Sequence, residues 1–252
     1  MGSGRARMPN HTAVCPASGN RARLRDQAFA VSIRAMKQRN EPSRFGIVIY
    51  EGVEPIDIGG TAGVVSMARR VLPAIESVTI AARPGPVRLA GGLTVLAQFG
   101  FADHPPCDCF VVCGGPGWQA QITDQAMLAF LRRLPGGSVA SVCTGGLILA
   151  AAGILDGKRA TTRRHAAGAE PAAPLARLGA LAATAEPVEA AIVDDGGVVT
   201  SGGVSLAIDG TLYLIGRLYG EDARDEIARL IEYDRAFAAN RASLGHAVSC
   251  PA

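Results

Sequence analysis

From Arg44 onward, short apolar runs alternate with segments in which apolar residues recur at helical spacing, and this alternation constrains the fold most strongly. Strand-like runs lie at residues 45–50, 77–82, 110–113 and 138–142. Helical segments end near Leu72 and cover residues 124–134 and 144–152. Strands that alternate with helices are typical of a mainly parallel sheet covered by helices. The sequence therefore predicts an α/β fold.

The remaining segments complete a single domain. A hairpin is predicted at residues 87–97, interrupted by Gly91 and Gly92, and a second one around the turn at residues 194–197. Two helices are predicted at 204–219 and 221–237. We expect an α/β domain over residues 44–237, a disordered basic extension at residues 1–43, and a tail at residues 238–252.

The charge distribution argues against nucleic-acid binding. Residues 1–44 contain nine Lys or Arg and two Asp or Glu, a net charge of +7. The remaining residues have 16 basic and 20 acidic side chains, a net charge of −4, so the total is +3. The predicted domain therefore lacks the concentration of basic residues that a nucleic-acid surface needs.

The cysteines and the hydropathy indicate a cytoplasmic protein without metal. Six cysteines occur, and a core of this size does not require disulfides. Cys107, Cys109 and Cys113 lack the spacing and the partner ligands of a zinc site. The longest apolar run, residues 147–155, is too short to span a bilayer. We expect free thiols and neither a membrane segment nor a bound metal.

Cys143 occupies the turn between a short buried strand and a helix. A thiol there lies at the carboxyl edge of the sheet, where open α/β sheets bind ligands. The N-terminus of the helix has free N–H groups and partial positive charge, which favour a thiolate. This placement indicates a nucleophile, and the alternative is a small buried apolar side chain.

Two further segments follow strands at the same edge. The loop at residues 114–117, Gly-Gly-Pro-Gly, lacks the spacing of a dinucleotide-binding motif. Its alternatives are a turn or a loop in which the Gly115 N–H stabilises an oxyanion. Asp57 follows the first strand, and by itself its simplest role is to cap the next helix.

Together these segments resemble the ThiJ/PfpI superfamily, a class I glutamine amidotransferase-like group. The resemblance covers about residues 44–236 and rests on several motifs. They are Gly-x-x-x-x-Asp at 52–57, Cys-Gly-Gly-Pro-Gly at 113–117, Val-Cys-Thr-Gly-Gly at 142–146, and Ala-Gly-Ile-Leu-Asp-Gly-Lys-Arg-Ala-Thr-Thr at 152–162. Asp57, Cys143 and Thr144, together with Thr200-Ser-Gly-Gly-Val, Ile208-Asp and Ile231-Glu-Tyr-Asp, are similar to the isonitrile hydratase branch.

The resemblance implies a flavodoxin-like three-layer sandwich, a homodimer, a small-molecule substrate and no cofactor. It implies that Cys143 attacks an isonitrile carbon, that Asp57 manages the proton and that Thr144 completes the site. The product is then an N-substituted formamide. Further residues expected at the pocket are Gly60, Gly114, Ser201, Gly202 and Asp209.

The chain also departs from the superfamily pattern. Arg163 stands where relatives often have His, and His165 is expected to be a surface residue. The helix that contains Asp57 lacks the Pro and Glu that commonly follow this acid. The superfamily also includes glyoxalases, deglycases and amide hydrolases, so such an activity is an alternative, which Arg163 in place of His weakens. A ligand- or redox-sensing module without catalysis is a further alternative.

Overall fold

A computed structural model describes residues 36–249. The first half of this region contains β1 (Ser43–Val48), α1 (Pro55–Ala68), β2 (Ile75–Ala81), β3 (Gly85–Arg88), β4 (Thr94–Ala97), β5 (Phe99–Gly100), β6 (Cys109–Val112), α2 (Trp118–Gln121) and α3 (Gln125–Arg132). The second half contains β7 (Val139–Ser141), α4 (Gly145–Ala151), β8 (Arg159–Ala160), α5 (Pro174–Leu181), β9 (Glu186–Pro187), β10 (Ile192–Asp195), β11 (Val198–Ser201), α6 (Leu206–Tyr219), α7 (Glu221–Leu230), α8 (Asp234–Leu244) and β12 (His246–Val248).

Eight of the described strands form one sheet in the order β12-β10-β11-β7-β6-β1-β2-β5. Neighbouring strands are parallel, except for the antiparallel pair β10–β11. Helices α1, α6, α7 and α8 contact one another in sequence, and α4 contacts α2, α3 and α5, so two helix groups flank the sheet. The predicted mainly parallel three-layer α/β fold is confirmed.

The central strands are apolar because both of their faces are covered. All four residues of β6 are buried, and β1 is almost as fully buried. Strands covered on both sides show continuous apolar runs rather than alternation. The carboxyl ends of β1, β6 and β7 therefore meet at one edge of a well-packed sheet, and the segments that follow these strands contain Asp57, Gly114 and Cys143.

Both predicted hairpins are present. Strand β3 pairs with β4 in a separate antiparallel pair, and β10 pairs with β11 in the main sheet. The turn between β10 and β11 consists of Gly196 and Gly197, with φ of 60° and 85°. Two consecutive residues with positive φ are the requirement of a tight two-residue hairpin turn, and glycine meets it without strain.

The prediction of a tail after residue 237 is wrong for the residues that the structure describes. The predicted helix at 221–237 ends at Leu230, and Glu232, with φ of 56°, begins a turn into α8. Helix α8 then continues to Leu244, and β12 joins the sheet beside β10. Asn240 of α8 bonds to the buried Asp209, so a contact between distant segments stabilises this helix.

The predicted boundary of the N-terminal extension is also wrong where it can be compared. The Lys37 N–H donates to the Leu218 carbonyl at 2.7 Å, and its ammonium group pairs with Asp108 at 2.8 Å. The Tyr219 hydroxyl donates to the Glu41 carbonyl at 2.8 Å. Residues 36–43 therefore pack against the domain, whereas the rest of the predicted extension lies outside the described residues.

Candidate functional site

Cys143 forms a sharp elbow between β7 and α4. Its φ is 52°, a left-handed conformation that costs a non-glycine residue roughly 1–2 kcal/mol. Two hydrogen bonds fix this conformation: the Cys143 N–H donates to the Gly202 carbonyl at 3.0 Å, and the Thr162 hydroxyl donates to the Cys143 carbonyl at 2.5 Å. The side chain is only 3% exposed, so the sulfur lies in a nearly dry environment.

The elbow requires glycine at two neighbouring positions. A Cβ atom on Gly114 would lie 2.5 Å from the Thr144 nitrogen. A Cβ atom on Gly145 would lie 2.0 Å from the Val112 carbonyl oxygen. The glycines after β6 and β7 therefore let the two loops approach each other closely.

Asp57 lies in the first turn of α1 and is fully buried. Its Oδ2 atom accepts the Gly114 N–H at 2.8 Å, and helix α1 has no side-chain cap. The capping interpretation of Asp57 is therefore wrong, because the carboxyl group reaches across to the loop after β6. Its Oδ1 atom is buried and lacks a regular hydrogen bond within residues 36–249. One carboxyl oxygen is thus available at the site.

Burial raises the pKa of Asp57 to about 7. The Gly114 N–H opposes this rise, the charge of Glu54 adds to it, and interactions with Cys143 and Arg163 oppose it. A carboxyl group with a pKa near 7 gains and loses protons readily at neutral pH, which suits a general acid or base.

Burial and neighbouring groups act in opposite directions on the Cys143 thiol. Burial raises the pKa of the Cys143 thiol to about 12, and the Asp57 charge adds to this rise. The backbone N–H groups of Thr144 and Val204 and the Arg163 side chain lower the thiol pKa. The thiol therefore keeps its proton in the resting site, next to a carboxyl group that can accept it.

The Gly115 N–H, predicted to stabilise an oxyanion, already has a partner within the site. It donates to the Thr144 hydroxyl at 2.9 Å, so this amide is already bonded. The N–H groups that lower the pKa of the Cys143 thiol belong to Thr144 and to Val204. The Thr144 side chain connects the loop after β6 to the elbow, while its backbone N–H is the group available to an anion.

The other predicted pocket residues divide into two groups. Gly114 and Gly202 contact the elbow or Asp57 through their backbones. Gly60 packs against α6, where a Cβ atom would lie 2.7 Å from that of Ala207, and the Ser201 hydroxyl donates to the Ser141 carbonyl. These contacts indicate that Gly60 and Ser201 serve in packing rather than in lining a pocket.

Asp209 has partners on α8 instead of at the elbow. The Tyr233 hydroxyl donates to its Oδ2 atom at 2.8 Å, and the Asn240 amide donates to both carboxyl oxygens at 3.2 and 3.3 Å. Burial raises the pKa of Asp209 to about 6, although these bonds oppose the rise. The expected pocket role of Asp209 is not supported by these contacts.

Sequence reasoning missed three residues around the elbow. Val204 has φ of 61°, an outlier for a β-branched residue, and its N–H faces the sulfur. Thr162 holds the elbow carbonyl, and the Tyr50 hydroxyl donates to the Cys113 carbonyl at 3.0 Å. The repeated Gly-Gly at 202–203 before Val204 was the available signal, since it marks a loop that approaches another backbone closely.

Neither a metal cluster nor a membrane helix occurs in the described part of the chain. No group of three or more His, Cys, Asp or Glu side chains there could bind a metal ion. None of the helices there is long and apolar enough to cross a bilayer. Two cavities, of about 600 and 320 Å³, lie beside α7 and α8, and neither is lined by Cys143.

Comparisons with known proteins agree with this architecture. The chain is 33% identical to an isonitrile hydratase of Pseudomonas putida over 192 residues, which cover 75% of this chain and 78% of that protein. It is 26% identical to the HTH-type transcriptional regulator GbdR of Pseudomonas aeruginosa over 204 residues, which cover 79% of this chain and 53% of the regulator.

Solved structures share the fold. A ThiJ/PfpI family protein from Pseudomonas syringae superposes with a TM-score of 0.66 at 24% identity, covering 84% of this chain and 82% of that one. Drosophila melanogaster DJ-1beta superposes with a TM-score of 0.64 at 21% identity, covering 76% and 98%. The model of the DJ-1/PfpI family matches residues 44–215. The chain therefore belongs to the DJ-1/PfpI family.

Proposed function

We propose that this protein is an isonitrile hydratase, which adds water to an isonitrile and releases an N-substituted formamide. The observation that supports this most is the pairing of a buried thiol, Cys143, with a buried carboxyl group, Asp57, whose pKa is raised to about 7. The similarity to the Pseudomonas putida enzyme suggests the substrate class.

The first half of the proposed reaction forms a covalent intermediate. The Cys143 sulfur bonds to the terminal isonitrile carbon, and that carbon receives a proton from the Asp57–Cys143 pair. The product is a thioimidate in which the former isonitrile carbon carries one hydrogen and is bonded to sulfur and nitrogen. A nucleophile and an acid in one small site are sufficient for this step.

The second half consumes one water molecule. Water adds to the thioimidate carbon, its released proton passes through Asp57, and the nitrogen is protonated. The carbon–sulfur bond then breaks and returns its electron pair to sulfur, while the remaining hydroxyl proton passes through Asp57 to the sulfur, which releases the formamide and regenerates the thiol. The N–H groups of Thr144 and Val204 stabilise the leaving thiolate, since both lower the pKa of the Cys143 thiol.

The experiment is a substrate panel with purified protein. Alkyl and aryl isonitriles are supplied and formamide is measured by chromatography, with methylglyoxal and simple amides as parallel substrates. We expect formamide from at least one isonitrile, and no comparable consumption of methylglyoxal or amides. Turnover of methylglyoxal or an amide without any formamide would replace the proposal with the corresponding hydrolase or glyoxalase.

A ligand-sensing role is the second candidate, and the similarity to the regulator GbdR favours it. A sensor binds its ligand without consuming it. Isothermal titration with each isonitrile of the panel, with formamide measured in the same sample, distinguishes the two roles. Saturable binding without product supports the sensor, whereas product formation supports the hydratase.

A further inference from the structure

The Arg163 side chain lies directly on the backbone that holds the elbow. A Cβ atom on Gly203 would lie 2.6 Å from Cγ and 2.8 Å from Cβ of Arg163, so the aliphatic part of Arg163 occupies the space that glycine leaves open. Gly203 lies between Gly202, whose carbonyl accepts the Cys143 N–H, and Val204, whose N–H faces the sulfur. The arginine is therefore placed beside the thiol by packing.

A carboxylate fixes the orientation of the guanidinium group. The Arg163 Nη2 atom donates to both Glu170 carboxyl oxygens at 2.5 and 2.7 Å, and Nη1 donates to the His165 carbonyl at 2.6 Å. Glu170 itself accepts the Ala167 N–H at 2.9 Å. The side chains of this ion pair are only 15% and 23% exposed. A largely buried ion pair in which one guanidinium nitrogen contacts both carboxyl oxygens restricts the orientation of the arginine.

The hydrogen bonds to Glu170 and His165 do not use all of the N–H donors of the Arg163 guanidinium group. An arginine has five N–H groups, and the bonds to Glu170 and His165 use three of them. The remaining donors include Nε. Burial lowers the pKa of Arg163, but the interactions with Glu170 and Cys143 raise it overall. Glu170 therefore holds the guanidinium while leaving donors for the sulfur.

We infer that Arg163 is a catalytic residue that stabilises the Cys143 thiolate, and that Glu170 is its positioning residue. This inference rests on the proposed nucleophilic role of Cys143. When the thiol proton passes to the Asp57 carboxylate, the sulfur becomes an anion beside a fixed cation. The guanidinium and the two backbone N–H groups then share the stabilisation of that anion.

The other groups around the sulfur do not provide this positive charge. The titratable or charged groups that interact with Cys143 are Tyr50, Asp57, Cys113 and Arg163. Those that act on Asp57 or Glu170 in turn are Glu54 and Arg177. Arg163 is thus the cation that acts on the sulfur among the described residues, and its removal should disfavour the thiolate.

The test measures alkylation of Cys143 by iodoacetamide as a function of pH, in the full chain and without any isonitrile. Peptide mass spectrometry assigns the alkylated residue. The variants are Arg163→Gln and Arg163→Lys, with Arg164→Gln as the matched control, since Arg164 pairs with the exposed Glu189. Glu170→Gln and Glu189→Gln form the second matched pair.

We expect Arg163→Gln to slow alkylation about 10-fold at pH 7.5 and to move the pH profile to higher pH by about one unit. Arg163→Lys should fall between this variant and the wild type. Glu170→Gln should shift the profile in the same direction by a smaller amount. The control variants should remain within about twofold of the wild type, because their charges lie at exposed positions.

An unchanged profile in folded Arg163→Gln or Arg163→Lys would overturn the inference. Faster alkylation in Glu170→Gln would overturn the positioning role, since Glu170 would then act only by neutralising the arginine. Formamide production is a separate readout. Its absence, together with the expected alkylation shifts, would reject the isonitrile substrate while leaving the role of Arg163 supported.

Discussion

Asp57 and Asp209 occupy equivalent positions in two helices of the same length, yet their surroundings differ. Each lies in the first turn of a 14-residue helix, and each is fully buried. Burial raises both pKa values, to about 7 for Asp57 and about 6 for Asp209. Backbone placement and burial therefore do not distinguish the proposed catalytic acid, Asp57, from Asp209.

The hydrogen bonds make the distinction. Both oxygens of Asp209 accept bonds from α8, whereas Asp57 has one bonded oxygen and one buried oxygen without a regular bond in the described region. A buried acceptor without a partner costs roughly 1–3 kcal/mol. Asp209 thus serves to attach α8, while Asp57 retains an open oxygen beside a thiol, which is the arrangement that chemistry needs.

The largest expected effect is on activity. Asp57→Asn keeps the shape of the side chain but removes its ability to transfer a proton, so formamide production should fall by about 10²–10⁴-fold. Asp209→Asn should retain most activity per folded molecule. Equal losses in the two variants would remove the distinction between the two acids.

The second-largest expected effect is on the pH dependence of the free energy of unfolding. A carboxyl group whose pKa is higher in the folded than in the unfolded state stabilises the folded state at low pH. This stabilisation is lost as the pH rises through the pKa of the group in the folded state. For Asp57 the pKa rises from 3.8 to about 7, which corresponds to at most about 4 kcal/mol. Asp57→Asn should therefore become increasingly more stable than the wild type from pH 4 to 7, and the difference should then level off. Urea denaturation across this range measures it, and a difference that does not change with pH would contradict the buried, high-pKa carboxyl group.

Removing the structural acid should reduce stability without changing chemistry. Asp209→Ala leaves the Tyr233 hydroxyl and the Asn240 amide without their acceptor, so unfolding free energy should fall by about 2–3 kcal/mol. Hydrogen exchange should increase mainly in α8 and β12, which contact α7 and β10. A stability close to that of the wild type would show that α8 does not depend on this acid.

The smallest effect concerns the strained backbone. Val204 and Glu232 have φ of 61° and 56°, and glycine adopts this conformation without steric cost. Val204→Gly and Glu232→Gly should each stabilise the fold by up to about 1 kcal/mol in thermal denaturation. Val204→Gly should also alter the alkylation rate of Cys143, because it changes the backbone segment whose N–H faces the sulfur. Glu232→Gly should leave that rate unchanged. Destabilisation by both changes would show that neither backbone is strained.

Strong local patterns made most of the fold predictable. The buried strands β1, β6 and β7 and the Gly-Gly turn of β10–β11 are visible as apolar runs and turn residues. Helix α8 was missed because it contacts the domain through the bond between Asn240 and Asp209, which lie 31 positions apart. Local periodicity does not contain that information.

The site was partly predictable for a similar reason. Cys143 and Asp57 follow strands of one parallel sheet, so topology alone places them at the same edge. The bond between the Gly115 N–H and the Thr144 hydroxyl could not be predicted, because it depends on the side-chain orientation of Thr144. From the sequence, Arg163 stands out only because it replaces a His. Its proximity to the sulfur could not be predicted, because it depends on the packing of the Arg163 side chain against the Gly203 backbone.

The most direct test of the central claim compares two cysteines of the same core. Cys113 and Cys143 are both buried, but only Cys143 lies on the elbow between a strand and a helix N-terminus. Formamide production from an isonitrile should be retained in Cys113→Ala and abolished in Cys143→Ala. Turnover by folded Cys143→Ala would contradict the assignment of Cys143 as the nucleophile.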